Sequence, residues 1–322
     1  MMAPVEDPRA GGWAVPGAAG DRQVTDAATP VDAAAPVDDA APAPDRAVPT
    51  VALRPMTVAD VLDGGFAVLK ARPLRLLSFA AAFVVPTHLV VAWLQRDAVD
   101  DLTLSATFGT DPVLLDDGAQ ATAGDVLALV LAYVLPAVAL VCVAAAVGHL
   151  VGQWLMGRDA PAGEMARAVG RRWPALLGSF VLVKLAEAAG VLACYVGVLF
   201  VMPLFVAVAP AIGVERCGGG EALRRSVRLV RNRYFPTMGV ALLMGIVASV
   251  ISSALAAVPE ALAVWVGRDA GWALLALGGI VGNTVVLPYV AAATVLLYFD
   301  LRVRAEGLDL EMAARAVLDR AG

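Results

Sequence analysis

Charge, cysteine and histidine are all scarce in this chain. Of its 322 residues only 16% are Asp, Glu, Lys or Arg, and there are three cysteines and two histidines. Cys142, Cys194 and Cys217 form neither a disulfide framework nor a C-x-x-C metal spacing, so they read as small apolar fillers. G-x-S-x-G, P-loop, H-E-x-x-H and dinucleotide-glycine patterns are missing, which leaves no catalytic residue, cofactor or metal to expect. The glycine-rich GGGEALRRS at 218–226 opens a helix but lacks the Lys-Ser/Thr pair of a P-loop and follows no strand. No basic region followed at once by an apolar core stands at the N-terminus, so no signal peptide is expected.

Apolar sequence is abundant. Hydrophobic residues make up 60% of the chain, and the mean hydropathy is +0.76, more apolar surface than a soluble domain of this size can cover. Residues 1–53 are an Ala/Pro/Asp/Val mixture with eight acidic residues and three arginines, so the net charge of −5 sits there. Such a segment buries too little surface to offset its ordering entropy, and 1–52 reads as a disordered cytoplasmic tether. Residues 54–322 carry 21 acidic and 21 basic residues.

A bilayer core of ~30 Å takes about 20 helical residues. Uncharged windows of that length lie at 76–95, 126–157, 188–214, 234–259 and 270–299. Residues 174–213 are apolar except Lys184 and Glu187; as one helix they would reach roughly 60 Å, so two passes are expected, 174–193 and 195–213, turning near Gly197. The reading is an all-α, polytopic transmembrane bundle of about six spans in three hairpins, occupying 53–312, with 313–322 a short C-terminal end. Eighteen Lys and Arg residues then fall on one side and only Arg96 and Arg268 on the other, which makes both termini cytoplasmic by the positive-inside rule. The opposite loop, 96–125, holds seven aspartates without EF-hand spacing and reads as solvated.

Three basic, amphipathic stretches each run into a proline: 57–72 before Pro73, 163–173 before Pro174, and 220–235 before Pro236. They read as helices lying on the membrane, with the prolines in the first turn of the following span. Thr57 and Asp60 have the spacing of an N-cap, and Val58, Leu62 and Leu69 share a face. In the third stretch Leu223, Val227, Val230 and Tyr234 form an apolar stripe, and Arg224, Arg225, Arg228 and Arg231 lie off it, facing anionic headgroups. GEMARA (163–168) and GEALRR (220–225) hint at a parallel duplication.

Within the spans, Lys184 lies about 15 Å past Pro174, and Glu187 shares its helix face, so the two charges can pair. His88, His149 and Asn283 suit inter-helix hydrogen bonds. Pro86, Pro136, Pro203, Pro210 and Pro288 can kink their helices. Gly148-x-x-x-Gly152 and Gly278-x-x-x-Gly282 permit close helix approach.

Three blocks in order, LRPMTVADVLDGGFAVLKARPLRLL (53–77), EALRRSVRLVRNRYFP (221–236) and YFDLRVRAEGLDLEM (298–312), resemble actinobacterial multi-span proteins. That group is described by similarity to the membrane domain of glycerophosphoryl diester phosphodiesterases. The resemblance covers about 53–312 and implies six or more helices in a bacterial plasma membrane. The phosphodiesterase activity belongs to a separate soluble barrel with a His-Arg-Gly motif, and this chain has no such motif, so no catalytic residue transfers. The expected function is that of a non-enzymatic membrane protein organising lipids, anionic ones included, or a protein partner through its arginine helices, without nucleic acid. The alternative is a small-solute or lipid transporter that uses Lys184 and Glu187.

Overall fold

The computed structural model describes residues 54–95, 123–192, 196–266 and 268–321. The N-terminal tail, nearly all of the aspartate-rich loop and Cys194 lie outside the described residues. Those described form helices and no strand: α1 (Val58–Ala71), α2 (Pro73–Gln95), α3 (Ala123–Leu155), α4 (Ala162–Leu192), α5 (Val196–Leu204), α6 (Val208–Glu215), α7 (Gly219–Arg231), α8 (Tyr234–Val266), α9 (Arg268–Glu306) and α10 (Leu308–Ala321). Five of them, α2, α3, α4, α8 and α9, are long and apolar enough to cross a membrane.

The central helix is α9. Of its most apolar 18-residue stretch 67% is buried, against 22–39% for the corresponding stretches of the other four. Alanines at 291, 292 and 293 let neighbours approach closely. On one side α8 runs antiparallel to it, with Gly278 against Ala256 and Gly282 against Ser252. On the adjacent face, α2 brings His88 against Gly279. The Asn283 amide donates to His88 Nε2 at 3.2 Å, and His88 Nδ1 donates to the Val84 carbonyl at 2.9 Å. Both glycine pairs therefore mark crossings, since Gly148 and Gly152 pack against Pro210 and Val214 of α6. With its 39 residues, α9 reaches ~58 Å, nearly twice the hydrocarbon thickness, so one end projects beyond it.

All the basic connections gather at that end. Met56 N donates to Asp300 (2.7 Å), Arg75 pairs with Asp159 (2.8 Å), and Arg225 pairs with Glu306 (2.9 Å). The sides of the bundle carry exposed Leu242, Ile246, Val250 and Val258 on α8 alone. Trp93, Tyr133 and Trp265 are exposed toward the opposite end, and Trp173 toward the basic end. Apolar flanks with aromatics near their limits match a body whose solvent is hydrocarbon.

Two elements differ from the sequence reading. The second basic stretch is not a separate surface helix: α4 runs unbroken from Ala162 through Pro174 to Leu192. A proline there forfeits one backbone hydrogen bond, a loss that the turns on either side tolerate. The 195–213 pass is not a continuous helix either. It returns from the far end of α4, where Gly197 meets Gly190, to the basic end at Glu215, as α5, a turn at 205–207, and α6. Pro203 and Pro210 flank that turn, and each removes a donor from the helical ladder.

The amphipathic helices α1 and α7 turn their buried faces toward protein. Val61, Gly65 and Val68 of α1 lie on α9, where a Cβ at Gly65 would stand 3.0 Å from the Tyr289 ring. Ala222, Ser226, Leu229 and Val230 are the buried residues of α7. Ser226 Oγ donates to the Leu204 carbonyl at 2.6 Å. The capping box of α1 is present, with Thr57 N donating to Asp60 Oδ2 (2.9 Å) and Asp60 N to Thr57 Oγ1 (3.2 Å). Those bonds, helped by the nearby Arg54, outweigh the opposing effect of burial and hold the Asp60 carboxyl below its usual range.

Candidate functional site

Carboxylates fasten the basic end. Asp300 accepts from Met56 N and from Arg304 Nε (2.8 Å), and Arg304 also donates to the Met56 carbonyl (2.8 Å). Asp159 accepts from Arg75 (2.8 Å), Arg72 (3.3 Å), the Trp154 indole (3.0 Å) and Ala160 N (3.0 Å). Burial raises the Asp159 pKa, but the indole and the two guanidiniums outweigh it and hold the carboxyl below its ordinary value. Glu215, at the end of α6, takes Arg225 of α7 and the Tyr298 hydroxyl of α9; Arg302 lies 3.4 Å away. Arg225 and Arg302 also share Glu306, at 2.9 and 3.0 Å. Burial opposes the charge on Arg225, but its bonds to Tyr298 and Glu215 prevail and raise its pKa.

This network separates the four arginines that the sequence grouped on α7. Arg225 is occupied inside the protein. Arg224, Arg228 and Arg231 are exposed on the outer face of the helix; of these, Arg224 also donates Nε to the Gly220 carbonyl at 3.3 Å. Cys217, beside them, is held above its usual thiol range by burial and by Glu215 and Glu221, which disfavours its thiolate.

Lys184 and Glu187 do pair, at 2.7 Å. Tyr133 of α3 completes a triad: it accepts from Lys184 Nζ (3.1 Å), donates to Glu187 (3.1 Å), and offers its ring face to the ammonium at 4.5 Å. Lys184 and Glu187 line a mostly apolar cavity of about 250 Å³ between α3, α4, the α5–α6 segment, α8 and α9, which Ser179 and Thr294 also line. Both hydroxyls are committed to carbonyls of their own helices, Leu176 and Val290.

A second cavity, of about 160 Å³, opens at the basic end between α3, α4 and α6. His149 and Glu164 bond across it at 3.1 Å, and Arg167, Arg171, Arg172 and Arg216 line it. The sequence flagged His149 as an inter-helix hydrogen-bonding residue, and it is one. The arginine cluster was not legible, because Arg216 comes from a distant segment; only the one-turn spacing of Arg167 and Arg171 hints at it. Among the described residues no group of three or more His, Cys, Asp or Glu could hold a metal ion.

No protein family, no curated protein and no solved structure matches this chain. Its description therefore rests on its own geometry: a multi-pass helical membrane protein with its cationic side chains concentrated at one end.

Proposed function

We propose that this chain is a non-enzymatic integral protein of the bacterial plasma membrane. Its basic end faces the cytoplasm and organises anionic lipid, or a protein partner, at the inner leaflet. The observation that carries this reading is the division of labour on α7. One face is buried in the bundle, Arg225 is tied to Glu215 and Glu306, and Arg224, Arg228 and Arg231 are left on the exposed face. A helix fixed in this way holds three cations at headgroup height, each worth about 1 kcal/mol near an anionic surface. The excess of basic residues at that end supports a cytoplasmic placement of both termini. The resemblance of the three sequence blocks to a phosphodiesterase-associated membrane domain agrees with a multi-pass body and brings no chemistry with it.

The test reconstitutes Arg224→Glu/Arg228→Glu/Arg231→Glu in bilayers of phosphatidylcholine and phosphatidylglycerol. The lipids retained after mild-detergent extraction are then measured. A fall in phosphatidylglycerol enrichment is expected; unchanged selectivity refutes the reading.

A second reading, transport of a small solute or lipid, is favoured by the cavity beside Lys184 and Glu187. Lys184→Met abolishes flux in that case. The mutual neutralisation of Lys184 and Glu187, with Tyr133 hydrogen-bonded to both, supports a packing role instead.

A further inference from the structure

At the basic end of the bundle the protein treats its arginines unequally. Arg54, Arg72, Arg75, Arg225, Arg302 and Arg304 each have a carboxylate within ion-pair distance. Around the cavity between α3, α4 and α6 the pattern reverses. Arg171, Arg172 and Arg216 have no carboxylate partner among the described residues. Arg167 bonds through Nε only to the Gly163 carbonyl of its own helix (3.1 Å). The one acid lining the cavity, Glu164, is already bonded to His149, which is 6% exposed. Four guanidiniums against one carboxylate leave a strong positive excess over a cleft with low-dielectric walls, where field lines concentrate.

The backbone at Arg216 adds a second, independent sign. It caps α6 in the left-handed region, with φ 58°. It is the only non-glycine residue with positive φ among those described. Glycine is the usual occupant of a helix C-terminal position in that conformation, because a Cβ there is disfavoured. Strain kept at such a position accompanies a use for the side chain, and this side chain reaches into the cavity.

We propose that this cavity is a binding site for a phosphate group, held by Arg167, Arg171, Arg172 and Arg216. The planar forks of the guanidiniums match the oxygen pairs of a phosphate and bind it through charge-assisted, bidentate hydrogen bonds. About 160 Å³ is room for roughly five waters, enough for one phosphate group at the open mouth of the cleft. The cleft opens at the end of the bundle, so the phosphate arrives either on the headgroup of an anionic lipid or as a free phosphate. The site uses none of Arg224, Arg228 and Arg231 and stands or falls apart from the leaflet reading.

The test uses the full chain purified in mild detergent. Three proteins are compared with wild type: Arg171→Gln/Arg172→Gln, Arg216→Gly, and Arg224→Gln/Arg228→Gln/Arg231→Gln. Arg216→Gly removes a guanidinium where glycine suits the backbone, so folding is preserved. Inorganic phosphate is titrated by calorimetry against chloride at equal ionic strength. In parallel, the proteins are extracted from bilayers with and without phosphatidylglycerol, and bound lipid is counted by native mass spectrometry. Wild type and the α7 triple variant bind one phosphate group, and each cavity variant loses about tenfold or more in affinity. Retention of one phosphatidylglycerol that the cavity variants shed identifies the lipid as the source. Binding of inorganic phosphate alone identifies a free phosphate. The proposal is overturned if phosphate is not distinguished from chloride and phosphatidylglycerol is not retained, or if folded Arg216→Gly binds as wild type does.

Discussion

Asp159 should be the most consequential single residue outside the spans. It stands in the connection between α3 and α4 and draws the first turn of α2 to it through Arg75 and Arg72. Asp159→Ala removes four accepted hydrogen bonds at once. Bonds to charged donors are worth about 1.5–3 kcal/mol each when buried, but the Asp159 and Arg75 side chains are each 26% exposed, so solvent screening pulls the values down. We expect a loss of about 2–4 kcal/mol for Asp159→Ala. Asp159→Asn keeps a neutral acceptor for Trp154 and Arg75 and should lose about half as much. Thermal unfolding in mild detergent reads this as a fall of several degrees. The depressed pKa adds a pH signature. A folded-state value below the unfolded one contributes stability that is fully present above about pH 4 and is lost as pH falls through the folded value. The gap between wild type and Asp159→Asn should therefore narrow below about pH 4. An Asp159→Ala protein within about 0.5 kcal/mol of wild type, or a gap that widens in acid, would refute this account of the connection.

Two more perturbations follow from packing. A Cβ at Gly213 would collide with the Ala145 carbonyl oxygen, whereas one at Gly178 meets nothing. Gly213→Ala should cost a few kcal/mol and Gly178→Ala should gain up to ~1 kcal/mol, both read by thermal unfolding; equal effects would contradict the α3–α6 crossing. Lys184→Met leaves Glu187 with only Tyr133 as a polar partner, so it should destabilise more than Lys184→Met/Glu187→Leu, which removes both charges. A double variant worse than the single would contradict a structural pair.

Much of this fold is legible in the sequence because hydropathy over 20-residue windows is a coarse, robust signal. It locates α2, α3, α8 and α9, and the prolines at 73 and 236 fall in first turns as expected. What escaped depends on tertiary context. Pro174 looked like a boundary, but a helix held on both sides continues through it. On α7 the stripe Leu223, Val227, Val230 and Tyr234 reads as a lipid-facing side, yet Val230 is buried in the bundle with Leu229 and the small Ala222 and Ser226, which let the backbones approach. Ion pairs such as Arg225–Glu306 join positions 81 residues apart and leave no local trace. The phosphate cavity combines one-turn arginine spacing on α4 with a capping residue of α6, and only the folded chain brings them together.

On this structure the basic connections share one face of a lipid-embedded bundle. Single cysteines at Arg158, Arg228 and Trp265, in a background with Cys142, Cys194 and Cys217 replaced by serine or alanine, test it by labelling with a membrane-impermeant maleimide. Positions 158 and 228 should label only in inside-out vesicles, and 265 only in intact spheroplasts. Labelling of 158 and 228 from opposite sides, or of all three from one side, would contradict it.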